Sequence, residues 1–319
     1  MKKVLVTEPI HEDGLKLLEN EVEVVRADST EPKELLKKAL GCEGILIRSA
    51  KIPTELIKEV DTLKVIAKHG IGVDNVDVET ATKLGVYVVN APESNINAVA
   101  EHALGMILSL SKNFLMMDKE LRKGDYGIRK RVVNMELKGK TIGLIGLGKI
   151  AVLLAEKLRP LGVNIIAYDP YIKTSDAKKI GVELVGDMNK VFERSDFVSV
   201  HIPLNEKTEG MIGKEQFHKM KESAYFINVA RGAVVKEKEL YEALKNREIK
   251  GAALDVFEQE PPASDNSLFK LDNVVVSPHN AALTDKALVA MATESAQGII
   301  DCLNNKEPKY LVNTEVLNK

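Results

Sequence analysis

The chain has 319 residues, of which 45% are hydrophobic and 29% are charged, and its formal net charge is −2. This length is sufficient for two domains, and the composition is typical of a globular protein. A nearly balanced charge lacks the basic excess with which proteins hold nucleic acid phosphates. We therefore expect a small-molecule partner and no nucleic acid partner.

The cysteine content and the apolar runs indicate the cellular location of the protein. The two cysteines, Cys42 and Cys302, lie far apart and outside any C-x-x-C spacing, which predicts neither a disulfide framework nor a metal site. The N-terminal apolar run turns acidic at Glu8, and the apolar stretch Ala98–Leu110 is interrupted by Glu101. Neither has the pattern of a signal sequence or of a membrane span. We expect a cytoplasmic location and no membrane partner.

The first hundred residues alternate short β-branched runs with helical patterns, which predicts a parallel, doubly wound sheet. The predicted strands are Val4–Thr7, Val22–Val25, Gly44–Ile47, Lys64–Ala67 and Val86–Val89. The predicted helices are Gly14–Asn20, Pro32–Leu40, Pro53–Glu59 and Val78–Leu84. A long helix over Asn97–Asn113, apolar on most faces, follows them and is expected to be buried between domains.

The stretch Lys140–Asp169 has the pattern of a strand, a glycine turn, a helix and a second strand. Its turn reads G-x-G-x-x-A, and an acidic residue follows about 20 residues later, the arrangement that dinucleotide-binding folds require. Without a ligand, the same pattern would be a structural turn in an ordinary α/β domain. We favour the dinucleotide interpretation because both strands, the helix and the acidic residue are present together.

Each residue of this stretch has a physical role. Gly146 permits the tight turn, and Gly148 lets the backbone approach a pyrophosphate. The helix begins near Lys149 and Ile150, so its positive end faces the phosphates. Asp169 would accept hydrogen bonds from ribose hydroxyls and repel a 2′-phosphate, which predicts NAD rather than NADP.

The region after Asp169 continues the alternation. Further strands are predicted at Phe197–Val200, Tyr225–Val229, Ala252–Val256 and Val274–Ser277, and a helix at Lys286–Leu303. The tail Lys309–Asn313 is expected to return to the first domain. We therefore predict two doubly wound domains, a Rossmann nucleotide-binding domain (97–286) inserted in a discontinuous, flavodoxin-like substrate domain (1–96 and 287–319), with a cleft between them.

Polar side chains follow three strands of the central region where each strand ends. Arg231 follows the strand that ends at Val229, Glu260 comes shortly after the next strand, and His279 follows the last. The carboxyl ends of the strands face the ligand crevice in a doubly wound sheet. Histidine suits proton transfer near neutral pH, a neighbouring carboxylate would stabilise its imidazolium, and arginine can grip a carboxylate.

These assignments have alternatives. Glu258 has a spacing as suitable as that of Glu260, and each of Arg231, Glu260 and His279 could be an ordinary loop residue. Among the other histidines, His102 is a weaker candidate because it falls within the apolar helix. We therefore predict His279 as the base, with Glu260 and Arg231 beside it.

Four segments resemble the motifs of the D-isomer-specific 2-hydroxyacid dehydrogenases: GLGKIA at 146–151, NVARGAVV at 228–235, GAALDVFEQEPP at 251–262 and SPHNAALT at 277–284. The resemblance implies NAD-dependent hydride transfer at C2 of a D-2-hydroxy acid. It implies that Arg231 binds the substrate, that Glu260 rather than Glu258 assists the histidine, and that His279 moves the proton. It also implies cofactor contacts from Val229, Ala230, Arg231, Asp255, His279, Ala281 and Ala282.

Within that family, the substrate-side loops resemble those of 3-phosphoglycerate dehydrogenases, enzymes of serine biosynthesis. The segments are GILIRSAKI at 44–52, HGIGVDNVD at 69–77 and NAPESN at 90–95. The resemblance implies that Arg48 meets the substrate phosphate, which suits a guanidinium, although Arg48 could instead pair with a nearby acid. It implies further substrate contacts from Gly70, Ile71, Gly72 and Asn95.

Several departures keep other substrates open. Lys68 stands where many of these enzymes have arginine, Glu93 adds negative charge to a loop expected to meet an anion, and SPHNAA at 277–282 replaces a glycine-rich continuation. Reduction of hydroxypyruvate or glyoxylate is therefore a close alternative.

The resemblance also bears on regulation and assembly. The chain ends near Lys319, so we expect a short form without a C-terminal serine-sensing domain, and homodimers are the family habit. An NAD-sensing, corepressor-like binding protein is an alternative from a different class. Formate oxidation ranks lower, because such enzymes usually have glutamine where Glu260 stands.

Overall fold

The computed structural model describes residues 1–318 and divides the chain into two compact units. One unit contains Met1–Asn95 together with the residues from Ala282 onward, and the other is the contiguous stretch Ile96–Ala281. The second unit is therefore inserted into the sequence of the first.

Short β-branched runs and amphipathic segments alternate along the chain and form the following elements. The strands are β1 (Lys3–Val6), β2 (Glu23–Arg26), β3 (Gly44–Ile47), β4 (Val65–Lys68), β5 (Tyr87–Val89), β6 (Thr141–Ile145), β7 (Asn164–Tyr168), β8 (Glu183–Leu184), β9 (Phe197–Val200), β10 (Tyr225–Asn228), β11 (Gly251–Leu254) and β12 (Val274–Val276). The helices are α1 (Glu12–Glu21), α2 (Pro32–Ala39), α3 (Thr54–Glu59), α4 (Val78–Lys83), α5 (Ile96–Lys112), α6 (Phe114–Arg122), α7 (Lys149–Leu158), α8 (Thr174–Lys179), α9 (Met188–Arg194), α10 (Lys214–Lys219), α11 (Glu237–Lys245) and α12 (Asp285–Leu303).

The sheet of the first unit is parallel, in the order β2-β1-β3-β4-β5. This is the flavodoxin-like order of a doubly wound fold, with helices covering both faces. Helices α2, α3 and α4 bury apolar side chains against one face, and α1 and α12 bury theirs against the other. The expected return of the chain end is confirmed, because Leu311 forms an antiparallel bridge with Val89 and the Val312 N–H donates to the Val88 carbonyl at 2.8 Å.

The sheet of the second unit is also parallel, in the order β12-β11-β10-β9-β6-β7-β8. Its strand order reverses between β6 and β9, which is the Rossmann arrangement. Ligands of such folds bind outside the carboxyl ends of the strands at that point. The predicted fold class is confirmed. The two-residue strand β8 was missed, since so short a run carries no periodicity.

Helix α5 lies one residue earlier than predicted, and its buried face is used inside its own unit. Ala100, Ala103 and Ile107 are fully buried, and the helix packs against α7, β10 and β11. The next helix, α6, has no buried residue.

None of the helices between residues 1 and 318 combines the length and the apolar character that a membrane-spanning segment needs.

Candidate functional site

The glycine turn after β6 is sterically restricted to glycine at its first position. Gly146 has φ +89°, and a Cβ there would lie 2.7 Å from Ile202 Cγ2 and 2.8 Å from the His201 carbonyl oxygen. Both neighbours follow β9, across the point where the strand order reverses. Only glycine therefore allows β6 to turn this tightly beside β9.

The N-terminus of α7 is open toward solvent. Gly148 is the N-cap, it is exposed, and no side chain caps the helix there. A Cβ at Gly148 would meet no atom within 4 Å, so the backbone of the turn has room in front of it. Lys149 and Ile150 form the first turn of the ten-residue helix. This arrangement fits a pyrophosphate, because the first N–H groups of a helix and its dipole attract anions.

Asp169 stands immediately after β7 and is partly exposed. Its Oδ2 accepts the Leu147 N–H at 2.9 Å, and its Oδ1 accepts the Tyr171 N–H at 2.9 Å. A carboxylate has about four lone-pair positions, so each oxygen can still accept one further hydrogen bond. The residue therefore ties the glycine turn to β7 and keeps the capacity to bind a ribose diol.

The loop after β10 carries Arg231. The buried side chain of Asn228 accepts the Ala230 N–H at 3.0 Å and donates to the Arg231 carbonyl at 2.9 Å. A Cβ at Gly232 would lie 1.9 Å from the Phe257 carbonyl, so this loop touches the backbone that leads to Glu260. The Arg231 guanidinium donates from Nη1 to the Ala230 carbonyl at 2.7 Å. The sequence had given no role to Asn228 or Gly232.

The structure brings His279 and Glu260 together. Nδ1 of His279 lies 2.6 Å from Oε2 of Glu260, and Oε1 of Glu260 accepts the Phe257 N–H at 3.1 Å. Partial burial raises the pKa of Glu260, but the hydrogen bond and charge of His279, the Phe257 N–H and the charge of Arg231 outweigh burial and hold the pKa below its ordinary value. Glu260 is therefore ionised, and Nε2 of His279 is the ring nitrogen left for another partner.

Glu258 is directed elsewhere. Its backbone N–H donates to Oε2 of Glu237 at 2.9 Å, and its Oε2 accepts the Glu237 N–H at 3.4 Å. These bonds tie Glu258 to the N-terminus of α11. Spacing alone left Glu258 and Glu260 equivalent, and the geometry brings only Glu260 to the histidine.

A cluster behind the histidine loop joins Asp255, which the resemblance had assigned to the cofactor, with Ser277 and His102, to which the sequence analysis gave no role. Asp255, directly after β11, is fully buried, and its carboxylate accepts hydrogen bonds from Ser277 Oγ at 2.5 Å and from the N–H groups of Asn280 and Ala281 at 3.0 and 2.9 Å. Nε2 of His102, on α5, lies 3.0 Å from Ser277 Oγ. The position of Ser277 two residues before His279 was the available signal.

The remaining cofactor candidates lie in three places. Val229 is buried at the end of β10, and Ala230 follows it. Ala281 is buried and bound to Asp255, whereas Ala282 begins the second segment of the first unit. Across residues 1–318 there is no group of His, Cys, Asp and Glu side chains that could hold a metal ion.

The predicted substrate contacts belong to the first unit. The Arg48 guanidinium donates to the Pro9 carbonyl at 2.7 Å, while its backbone N–H donates to the Glu8 carboxylate at 3.1 Å. The acid near Arg48 therefore binds its backbone rather than its side chain. Glu93, expected to add negative charge, accepts a hydrogen bond from the Tyr310 hydroxyl at 2.8 Å.

The glycine loop after β4 is held by two hydrogen bonds. Gly70 has φ +133°, and its carbonyl accepts the Ala91 N–H at 2.9 Å. The Ile71 carbonyl accepts Asn90 Nδ2 at 2.8 Å, and Gly72 follows, partly exposed. Separately, Asn95 is buried, and its Oδ1 has no hydrogen-bond partner among residues 1–318.

Comparisons with known proteins agree with this geometry. Residues 104–281 match the model of the NAD binding domain of D-isomer specific 2-hydroxyacid dehydrogenases. The chain is 44% identical over 314 residues to a D-3-phosphoglycerate dehydrogenase of Methanocaldococcus jannaschii, covering 98% of this chain and 60% of the relative. It is 40% identical to a glyoxylate reductase of Thermofilum pendens, covering 99% of this chain and 95% of that relative.

The fold likewise matches a solved structure, a D-lactate dehydrogenase of Aquifex aeolicus complexed with NAD and lactic acid. The TM-score is 0.87 at 28% identity, covering 97% of this chain and 99% of that one. The match of residues 104–281 to an NAD binding domain identifies NAD(H) as the cofactor of the second unit. The chain spans about 60% of the length of the D-3-phosphoglycerate dehydrogenase relative. The NAD-sensing alternative gains no support from these names.

Proposed function

Because this chain belongs to the family of D-isomer specific 2-hydroxyacid dehydrogenases, we propose that it transfers hydride between NAD(H) and C2 of a D-2-hydroxy acid. The observation that carries the proposal is the 2.6 Å contact between His279 Nδ1 and Glu260 Oε2. This pair lies beyond the carboxyl ends of β11 and β12, next to the loop of Arg231.

The side chains have complementary roles. NAD(H), when bound at the glycine turn and Asp169, would supply or accept the hydride. His279 removes the hydroxyl proton of the 2-hydroxy acid through Nε2 and returns it in the reverse direction. Glu260, ionised and bonded to Nδ1, stabilises the imidazolium that forms. Arg231 binds the substrate carboxylate and polarises the reacting oxygen.

For the substrate, we propose 3-phosphoglycerate, oxidised to 3-phosphohydroxypyruvate as in serine biosynthesis. The D-3-phosphoglycerate dehydrogenase relative and the substrate-side loops support this choice. Arg48 would bind the phosphate, and the backbone of Gly70–Gly72 and the side chain of Asn95 would bind the rest of the acid. The alternative is reduction of hydroxypyruvate or glyoxylate, which the glyoxylate reductase relative favours.

The two substrate proposals are tested by turnover of the purified chain. We expect oxidation of 3-phosphoglycerate with NAD⁺, and we expect Arg48→Ala to raise KM for that substrate at least about tenfold, since a charge-assisted contact is lost. Glyoxylate reduction with NADH should change little. Arg26→Ala, which removes an exposed arginine paired with Glu19, is the matched control. If the chain turns over glyoxylate faster than 3-phosphoglycerate and Arg48→Ala leaves both KM values unchanged, glyoxylate or hydroxypyruvate reduction is the function.

The acid–base assignment is tested by His279→Ala. We expect this change to reduce kcat by about 100-fold or more, because general acid–base catalysis contributes about that much. His218→Ala is the control, because that exposed histidine pairs with Glu248 at 3.0 Å. Undiminished turnover in His279→Ala would show that another group moves the proton and would remove His279 from this role. A purified chain that oxidises or reduces no 2-hydroxy or 2-oxo acid would overturn the enzyme proposal.

We also propose that the chain forms a homodimer through the segment of α6 and the residues that follow it. Large apolar side chains of this segment are 55–83% exposed: Phe114, Leu115, Leu121, Tyr126 and Val133. Exposed apolar side chains grouped in one segment are typical of interaction surfaces. Helix α5, which the sequence analysis expected to be buried between domains, uses its apolar face within its own unit. Leu115→Glu with Leu121→Glu should give monomers in sedimentation, whereas Leu40→Glu, at an exposed leucine of the first unit, should not. A dimer that survives the double change must use another surface.

The cysteines support a reducing compartment, and we propose the cytoplasm. Cys42 and Cys302 are both free and buried. Burial raises the pKa of both thiols, that of Cys302 to about 12, so neither reacts readily as a thiolate.

A further inference from the structure

The backbone of His279 is held in a conformation that its side chain disfavours. Its φ is +48°, in the left-handed region, where a residue with a Cβ is strained. Such a conformation persists only where neighbouring groups impose it. The orientation of the imidazole therefore depends on what holds residues 277–281.

Asp255 supplies most of that restraint. Its carbonyl accepts the His279 N–H at 2.7 Å, and its carboxylate accepts the N–H groups of Asn280 and Ala281 at 3.0 and 2.9 Å. One buried residue thus bonds three successive N–H groups of the loop. Any rotation of the Asp255 carboxylate would release two of them.

His102 and Ser277 fix that carboxylate through a directional chain of hydrogen bonds. Ser277 Oγ donates its single proton to Asp255 Oδ1 at 2.5 Å. The serine oxygen is then the acceptor for Nε2 of His102 at 3.0 Å, which assigns the proton to that ring nitrogen. The same nitrogen lies 3.6 Å from Asp255 Oδ1. The buried helix α5 holds His102 in place.

We propose that His102 is a positioning residue for His279: through the Ser277 hydroxyl it orients the Asp255 carboxylate that fixes the histidine loop. The proposal rests on the proposed function, because it is the acid–base role of His279 that makes the loop geometry matter. His102 and Ser277 act through Asp255, which Ser277 Oγ bonds directly. Their contribution is to hold the His279 imidazole in its orientation.

The test compares His102→Leu and Ser277→Ala with the wild-type chain. Each change should lower kcat by about tenfold to 100-fold, the scale of an ångström-level misplacement of a catalytic group, with a much smaller effect on KM. Amide hydrogen exchange at residues 279–281 should accelerate about tenfold, because the local opening free energy falls. His102→Gln, whose amide can still donate to Ser277, should recover part of both losses.

A variant that combines His102→Leu with Ser277→Ala tests whether the two residues act through the same hydrogen bonds or independently. If His102 acts through Ser277, the combined change should be no worse than the more damaging single change, since each breaks the same chain. Additive losses overturn the proposal. So does a His102→Leu variant with unchanged kcat and unchanged exchange at residues 279–281. His218→Leu, at the exposed histidine paired with Glu248, controls for loss of an imidazole.

The exchange measurement keeps this proposal distinct from the proposed function. If the wild-type chain turns over no 2-hydroxy or 2-oxo acid, the enzyme proposal is refuted. If His102→Leu still accelerates amide exchange at residues 279–281, the positioning role is retained. Normal turnover with no change at the loop refutes the positioning role alone.

Discussion

Glu260 holds His279 with one carboxylate oxygen and the backbone of Phe257 with the other, at 2.6 and 3.1 Å. Since its pKa lies below the ordinary value, the carboxylate remains charged throughout the range in which a histidine titrates. Glu260→Gln removes the charge but keeps the shape. We expect kcat to fall about tenfold or more and the pH optimum to move to lower pH, because the imidazolium loses its partner.

The control for this change is Glu258→Gln, at a glutamate bonded to Glu237 instead of to the histidine. Its pH–rate profile should match that of the wild-type chain. An unshifted profile in Glu260→Gln, or an equal shift in both variants, would remove Glu260 from its role.

Asp169 is expected to favour NAD over NADP. We expect Asp169→Asn to raise the ratio of kcat/KM with NADP to that with NAD by about tenfold, because a charge that repels the 2′-phosphate is lost. Asparagine still offers one acceptor for the Leu147 N–H, so the glycine turn should be retained. Asp176→Asn, at an exposed aspartate paired with Lys179 on α8, should leave the ratio unchanged. A constant ratio in Asp169→Asn would mean that the ribose assignment is wrong.

Gly232 lets the Arg231 loop touch the chain that leads to Glu260. Because a Cβ at this position would lie 1.9 Å from the Phe257 carbonyl, Gly232→Ala should destabilise the second unit by about 1–3 kcal/mol, measured by denaturant unfolding. Activity should fall as well, since the two loops are forced apart. Gly105→Ala is the matched control: no atom would lie within 4 Å of its Cβ, and alanine in a helix should stabilise by up to about 1 kcal/mol. Equal effects at the two sites would contradict the close approach.

His69 makes stability depend on pH. It is buried in the first unit, and burial, with a smaller contribution from the charge of Arg48, lowers its pKa to about 4. The unfolded chain, with a histidine pKa near 6.5, binds more protons in this window, so stability is lost as the pH falls from 6.5 toward 4. At about 1.4 kcal/mol per pKa unit, this contribution is on the order of 3 kcal/mol.

Urea unfolding between pH 7 and pH 4 checks this contribution. His69→Gln should show a smaller loss of unfolding free energy over that range than the wild-type chain. His218→Gln, at an exposed histidine, should keep the wild-type slope. The same slope in His69→Gln and the wild-type chain would show that His69 is protonated in the fold.

Much of the fold follows from local patterns. The bounds of β3 and β9 agree with the predicted ranges, because each is an apolar run closed by turn residues. The return of Leu311 to the first unit was also expected from its short apolar run.

The site was harder to predict because its contacts join distant parts of the chain. Sequence spacing made Glu258 and Glu260 equally suitable as the partner of His279, and only the path of the loop after β11 distinguishes them. The hydrogen bond between His102 and Ser277 joins residues 175 positions apart, and no periodicity in an apolar helix indicates such a partner. Likewise, the requirement for glycine at Gly232 depends on the Phe257 backbone, which the local sequence does not contain.

The interrupted order of the first unit has a consequence for synthesis on the ribosome. Ile299 and Leu303 of α12 complete the core around Val4 and Val65, yet they are translated after the whole of the inserted unit. Until α12 is translated, the N-terminal ninety-five residues therefore have one sheet face covered by α1 alone, while the contiguous unit can fold during elongation. Delayed translation between Ala281 and α12 would prolong the exposure of that face and so favour aggregation of the nascent chain.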